Sequence, residues 1–157
     1  MTTTIELREI AEKLFSPTEF LNVYSLDTLP KTSGPFYDTS LIINTDTHNL
    51  PGQHWVAIHA RKDEAYYFDS FGQPPPTTIA TWLSKYYSKW TSNTRQVQSI
   101  NSNFCGYFCI HFLYFAKQSY FKNIELNRLV DFIYPVTLSF IDYQSMIVNF
   151  MNTQVLI

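Results

Sequence analysis

Residues 54–69 read HWVAIHARKDEAYYFD, and the reading of this stretch decides the fold. His54 to Ala60 and Ala65 to Asp69 are short runs of apolar, β-branched and aromatic residues, the composition of two buried strands. Between them Arg61 to Glu64 is polar and four residues long, a length suited to a hairpin. If Ala60 pairs with Ala65, then Asp69 lies opposite Val56, and His54 and Asp69 share a face as diagonal neighbours within reach of a carboxylate–imidazole hydrogen bond. A slip of one residue would send them to opposite faces, so the inference rests on the loop count.

Working outward, Leu41 to Thr45 reads as a third strand. Upstream of it stand two helix-start signals of capping-box form, Thr3 with Glu6 and Ser16 with Glu19, the second carrying Pro17 at the first helical position. The first introduces Ile5, Ile10 and Leu14 at helical spacing. Downstream, Pro74, Pro75 and Pro76 close the strand section, and Ile79, Trp82, Leu83, Tyr86 and Trp90 recur as the apolar face of a helix. A short strand is expected near Thr94 to Gln98. A polar loop, Ser99 to Asn103, then leads into an all-apolar helix beginning near Cys105. Two further helices are expected after Asn123 and after Ser139, both good caps. The order predicts an α+β fold, a small mixed sheet flanked by helices, in one domain spanning 1–157 with no repeat and no linker.

Composition narrows the function classes. With 157 residues the chain can bury roughly 70% of its unfolded surface, and 15% charged residues against the usual ~25% mark a packed domain. A net charge of −2 leaves no global field to gather nucleic acid. The basic residues are scattered singly or in pairs. The first fifteen residues lack a signal peptide's basic start and apolar run, so an intracellular protein is expected. The longest apolar run, Phe104 to Ala116, includes His111 and is too short to span a bilayer. Cys105 and Cys109 are the only cysteines; they sit on one helix and are expected as free thiols.

Three residues suggest nucleophilic chemistry. Cys105 stands where a polar loop meets a helix start, and the unpaired N–H groups and partial positive charge there favour thiolate over thiol. His54 could act as its base, and Asp69 could orient and charge-stabilise the imidazole. Gln98, seven positions before Cys105, could donate its amide to an oxyanion beside the Cys105 N–H. Gly106 would let a substrate backbone approach. Each also has an ordinary reading: Cys105 as a small buried hydrophobe, Asp69 as a turn former, His54 as a satisfied core histidine, Gln98 as a solvent-facing side chain. Metal binding is a weaker reading, because Cys105, Cys109 and His111 lack ligand spacing, and Cys109 and His111 are expected to be packing residues.

Taken together, Ile43-Asn44-Thr45, Gly52-x-His54-Trp55, Tyr67-Phe68-Asp69-Ser70-Phe71-Gly72, Gln98 and Asn103-Phe104-Cys105-Gly106-Tyr107-Phe108-Cys109 resemble the adenovirus protease (adenain) group of cysteine proteases, which includes enzymes of virophages and Maverick/Polinton elements. The resemblance runs from about Leu41 to Phe115. It implies His54 as general base, Asp69 as the acid that orients it, Cys105 as nucleophile and Gln98 as oxyanion donor. It further implies Trp55, Gly52 and Gly106 as substrate-binding residues along a narrow channel that accepts glycine. Adenoviral members have Glu where Asp69 stands; Asp is usual in the related ubiquitin-like-protein proteases. No cysteine precedes Cys105 to take the adenoviral peptide cofactor and the net charge is slightly acidic, so neither that peptide nor DNA is carried over, and no metal or other cofactor is expected.

The function expected from this resemblance is a maturation endopeptidase cleaving capsid or other virion precursor proteins at glycine-containing sites. It would act as a monomer without membrane attachment, in the infected-cell cytoplasm or nucleus or in the virion. The alternatives are a deubiquitinase or SUMO-type isopeptidase, and a non-catalytic virion binding module suggested by the 17% aromatic content.

Overall fold

The computed structural model describes residues 2–31, 37–46 and 54–155. Its first helix, α1 (Thr4–Leu14), starts on the expected capping box. The Glu6 N–H donates to Thr3 Oγ1 (3.2 Å) and the Thr3 N–H to Glu6 Oε2 (3.1 Å). Leu7 and Ala11 form its buried stripe, whereas Ile5 faces solvent.

The second capping signal forms its bond, Ser16 N–H to Glu19 Oε1 at 2.9 Å, yet closes only a turn. The chain continues as a strand, β1 (Phe20–Tyr24), where a helix is expected. Phe20, Val23 and Tyr24 suit a strand, and parallel pairing with β2 (Ser40–Asn44) supplies hydrogen bonds that outweigh one local cap.

The two strands of the opening stretch are β3 (Trp55–Arg61) and β4 (Glu64–Phe68), and Ala60 faces Ala65 as expected. Arg61 also pairs with Glu64, so the turn tightens to Lys62-Asp63, with Lys62 at φ 53°. Positive φ at the first position of a two-residue turn matches the twist of the strands it joins. Zipping the outer pair leaves the register, and with it the faces of His54 and Asp69, unchanged.

Helix α2 (Thr77–Tyr86) ends four residues before Trp90, which belongs instead to β5 (Lys89–Ser92) and pairs with Ala65. The expected strand at 94–98 is a loop. The sheet order is β1-β2-β3-β4-β5, parallel at both edges and antiparallel within, the mixed sheet expected.

The three central strands, β2, β3 and β4, are buried on both faces, as period-2 alternation onto two cores requires, while the edge strands β1 and β5 are partly exposed. Val56, Ile58 and Ala60 pack with Ile79, Trp82 and Leu83 of α2. Trp55 and Ala57 face the larger core with α1 and α3 (Cys105–Phe121). That helix is apolar nearly all round, as a helix through a core must be. A 3₁₀ turn at Leu126–Arg128, α4 (Leu129–Ile133) and α5 (Phe140–Phe150) complete this side. α5 begins on a Ser139–Asp142 capping box and runs on as a π-helical turn, Met151–Val155. His111 is a packing residue, its Nδ1 2.9 Å from the Tyr134 hydroxyl, and burial pushes its pKa down to about 3. Among the described residues no helix is long and apolar enough to cross a membrane.

Candidate active site

His54 stands one residue before β3 and Asp69 one residue after β4, so the hairpin register brings them to the same end of the sheet. His54 Nε2 lies 2.7 Å from Asp69 Oδ1. The Phe71 ring stacks on the imidazole at 4.7 Å between centroids and 17° between planes, limiting ring rotation.

The carboxylate is itself held. Asp69 Oδ1 also accepts the Phe71 N–H at 2.8 Å, and the Asp69 carbonyl accepts the Gly72 N–H at 2.8 Å. Asn93, buried just past β5, closes a two-point clamp on the Asp69 backbone: its Oδ1 accepts the Asp69 N–H (3.0 Å) and its Nδ2 donates to the Asp69 carbonyl (2.7 Å). No sequence signal points to Asn93, which reaches Asp69 only through the parallel pairing of β4 with β5. Phe68 anchors the strand end by stacking on Phe112 of α3 at 4.3 Å.

Gly72 completes this turn at φ +73°, and a Cβ there would meet the Thr94 carbonyl oxygen at 2.8 Å and backbone atoms of Arg95 and Gln96 at 3.0 Å. We expect Gly72→Ala to destabilise the fold by about 3 kcal/mol through φ strain and overpacking against backbone. That is a drop of roughly 10 °C in melting temperature for a chain of this size, measurable by circular dichroism.

Burial is the largest single influence on His54 and would lower its pKa. The Asp69 hydrogen bond, the Cys105 thiol and the Asp69 charge together outweigh it, raising the pKa to about 9. With Nε2 committed to Asp69, the ring nitrogen left for Cys105 is Nδ1, which is buried and makes no hydrogen bond of good geometry among the described residues. Such contacts often tighten only when substrate binds.

Cys105 is a free cysteine and the first residue of α3, where no side chain caps the helix. Its peptide N–H therefore has no acceptor within the helix. Cys109 is buried one turn further along, and burial raises its pKa well above the ordinary value. The two thiols are thus unequal by construction. We expect iodoacetamide to modify Cys105 at least tenfold faster than Cys109 in the native protein, read by peptide mass mapping.

Gln98 is buried in the loop before α3, its amide Nε2 donating to the Ser102 carbonyl at 3.0 Å and its Oε1 accepting from Ser70 Oγ at 2.5 Å. It is not the solvent-facing glutamine that its loop position also allows.

The substrate-binding expectations sit differently. Trp55 is 2% exposed and its indole N–H donates to the Thr2 carbonyl at 3.2 Å. A Cβ on Gly106 would meet Leu7 and Thr2 side-chain atoms at 3.1–3.3 Å. In this structure the missing side chain of Gly106 admits α1 and the residues before it, and those residues cover Trp55. Gly52 lies outside the described residues. Also among the described residues, no cluster of three or more His, Cys, Asp or Glu could hold a metal ion.

No protein-family profile matches the chain. Among curated proteins it is similar to cysteine protease S273R of African swine fever virus (isolate Tick/Malawi/Lil 20-1/1983), 31% identical over 80 residues, 45% of this chain and 29% of that protein. Two crystal structures of the African swine fever virus pS273R protease share the fold. One covers 92% of this chain and 65% of its own at TM-score 0.60 and 16% identity. The other, of the selenomethionine protein, covers 73% and 43% at TM-score 0.50 and 19% identity. The chain thus spans less than a third of the curated relative and about two thirds or less of the solved chains.

Proposed function

We propose that this protein is a cysteine endopeptidase with Cys105 as nucleophile, His54 as base and acid, Asp69 as the group that orients and charges the imidazole, and Gln98 as oxyanion donor. The observation that carries the reading is the His54 imidazole: one nitrogen is fixed by Asp69 at 2.7 Å, and the ring's proton affinity is raised by both Asp69 and Cys105. Three elements thus converge on one imidazole: His54 just before β3, Asp69 just after β4 and Cys105 in the first turn of α3.

The chemistry follows from the placement. His54 Nδ1 takes the Cys105 proton, and Sγ adds to the scissile carbonyl. The carbonyl oxygen becomes an oxyanion facing the Cys105 N–H and the Gln98 amide. Collapse breaks the C–N bond, the imidazolium gives its proton to the departing amine, and a thioester remains. His54 then deprotonates a water that hydrolyses the thioester, restoring the thiol and releasing a carboxylate. Asp69 stabilises the imidazolium throughout and need not be protonated.

The substrates we propose are capsid or other virion precursor proteins cut at glycine-containing sites, in the infected cell or the assembling virion. The sequence resemblance to adenain and the similarity to a viral cysteine protease support this. Profiling with an internally quenched peptide library tests it, with Cys105→Ala as control. Cleavage confined to glycine-containing peptides is expected. Labelling of Cys105 by ubiquitin or SUMO bearing a C-terminal electrophile, without peptide cleavage, would turn the reading to an isopeptidase. Neither cleavage nor preferential alkylation of Cys105 would leave a non-catalytic module.

A further inference from the structure

The turn that aims Asp69 at His54 also holds Gln98. Ser70 follows Asp69 directly, and its carbonyl accepts both the Val97 N–H (2.9 Å) and the Gln98 N–H (3.0 Å). Its hydroxyl reaches Gln98 Oε1 at 2.5 Å, with Ser70 0% and Gln98 1% exposed.

Donor and acceptor capacities then leave one amide orientation. The Ser102 carbonyl can only accept, so the amide nitrogen must face it; rotating the amide half a turn would set two oxygens against each other. Oε1 is thereby turned to Ser70, which must donate. One amide hydrogen is committed to Ser102, and the second has no partner among the described residues. Without the Ser70 hydroxyl, Oε1 becomes a buried acceptor with no partner, and the amide is held on one side only.

We propose that Ser70 is a positioning residue for the reaction: it locks the Gln98 amide so that its free hydrogen is presented to the oxyanion. This rests on the proposed role of Gln98 and extends it. A single turn, residues 69–72, thus preorganises both halves of the chemistry, the base through Asp69 and the oxyanion donor through Ser70.

The test compares two reactions of Cys105 in the full chain. With p-nitrophenyl acetate, Sγ adds to the carbonyl, the oxygen takes negative charge, and collapse to a thioester expels p-nitrophenolate. With iodoacetamide, Sγ displaces iodide at a saturated carbon and no oxyanion forms. Rates are corrected with Cys105→Ala. Gln98→Ala should slow the ester burst about 100-fold, as loss of one oxyanion donor does, and Ser70→Ala about 10-fold through a mis-aimed amide. Both variants should leave alkylation within about twofold of the native rate. Ser70→Ala should slow the burst no further once Gln98 is Ala, because the two act as one unit.

A native burst rate in Ser70→Ala, equal losses in both reactions, or multiplying losses in the double variant would overturn the role of Ser70 while leaving that of Gln98 standing. An unaltered burst in Gln98→Ala would remove the oxyanion reading and this inference with it. Should Ser70→Ala fail to fold, Ser70→Cys, close in shape but a weak donor, must show the same selective loss once corrected with the double variant Ser70→Cys, Cys105→Ala.

Discussion

Cys105→Ala will abolish peptide-bond hydrolysis, lowering kcat by about 10⁵-fold or more, while the fold survives. The other cysteine cannot take over: Cys109 is buried, and burial raises its pKa well above the ordinary value. His54 without the thiol can at best activate water in a site built to hold a sulfur. Losses of this size are usual when a covalent nucleophile is removed and only the oxyanion donors remain. Structurally the change deletes one atom from a residue 6% exposed, which costs about 1–2 kcal/mol of packing. The variant should therefore melt cooperatively within several degrees of the native protein and lose its fast site for iodoacetamide. Residual cleavage within tenfold of native, with the fold intact, would dismiss Cys105 as the nucleophile.

The second large effect is expected of Asp69→Asn, which keeps the shape but removes the charge. Activity should fall about 100-fold or more, since an amide oxygen held by the Phe71 N–H can still accept the Nε2 proton but carries no charge to stabilise the imidazolium. The pH dependence of stability should change as well. In the native protein the His54 pKa, about 9, lies above its ordinary 6.5, so folding favours the protonated ring. That contribution is complete below about pH 6.5 and is lost as pH rises through about 9. The shift bounds it at about 3 kcal/mol, for a side chain 16% exposed. Without Asp69 the largest remaining influence is burial, which favours the neutral ring. The variant should therefore lose this alkaline decline, and acid should destabilise it as the ring is forced to charge. Melting temperatures of both proteins at pH 6 and pH 10 settle the matter; parallel curves would mean that Asp69 does not hold the charge on His54.

Much of this site is legible in the chain before any coordinates. The hairpin is local, so its register follows from one loop and the alternation of 54–69, and that register puts His54 beside Asp69. The turn tightens to two residues without shifting a single pair. The start of α3 at Cys105 is equally local, marked by the change from a polar loop to an apolar run. Two of the misreadings share a cause. Ser16 and Glu19 form their bond and still introduce a strand, and Trp90 continues the helical period yet belongs to β5. In both places the sequence offers a plausible local structure, and pairing with a distant strand decides otherwise.

The sequence by itself determined the sheet's central hairpin, the helix carrying the thiol and the pairing of imidazole with carboxylate, because each depends on neighbours within about sixteen residues. Only the tertiary structure decided what holds these groups still. Asn93 clamps Asp69 across the β4–β5 pair, Ser70 hydrogen-bonds Gln98, and Thr2 with α1 closes over Trp55 and Gly106. Those contacts join residues far apart in the chain, and no local propensity encodes them. They arise when buried polar groups in a dry interior must find partners, and the fold settles which partners lie within reach.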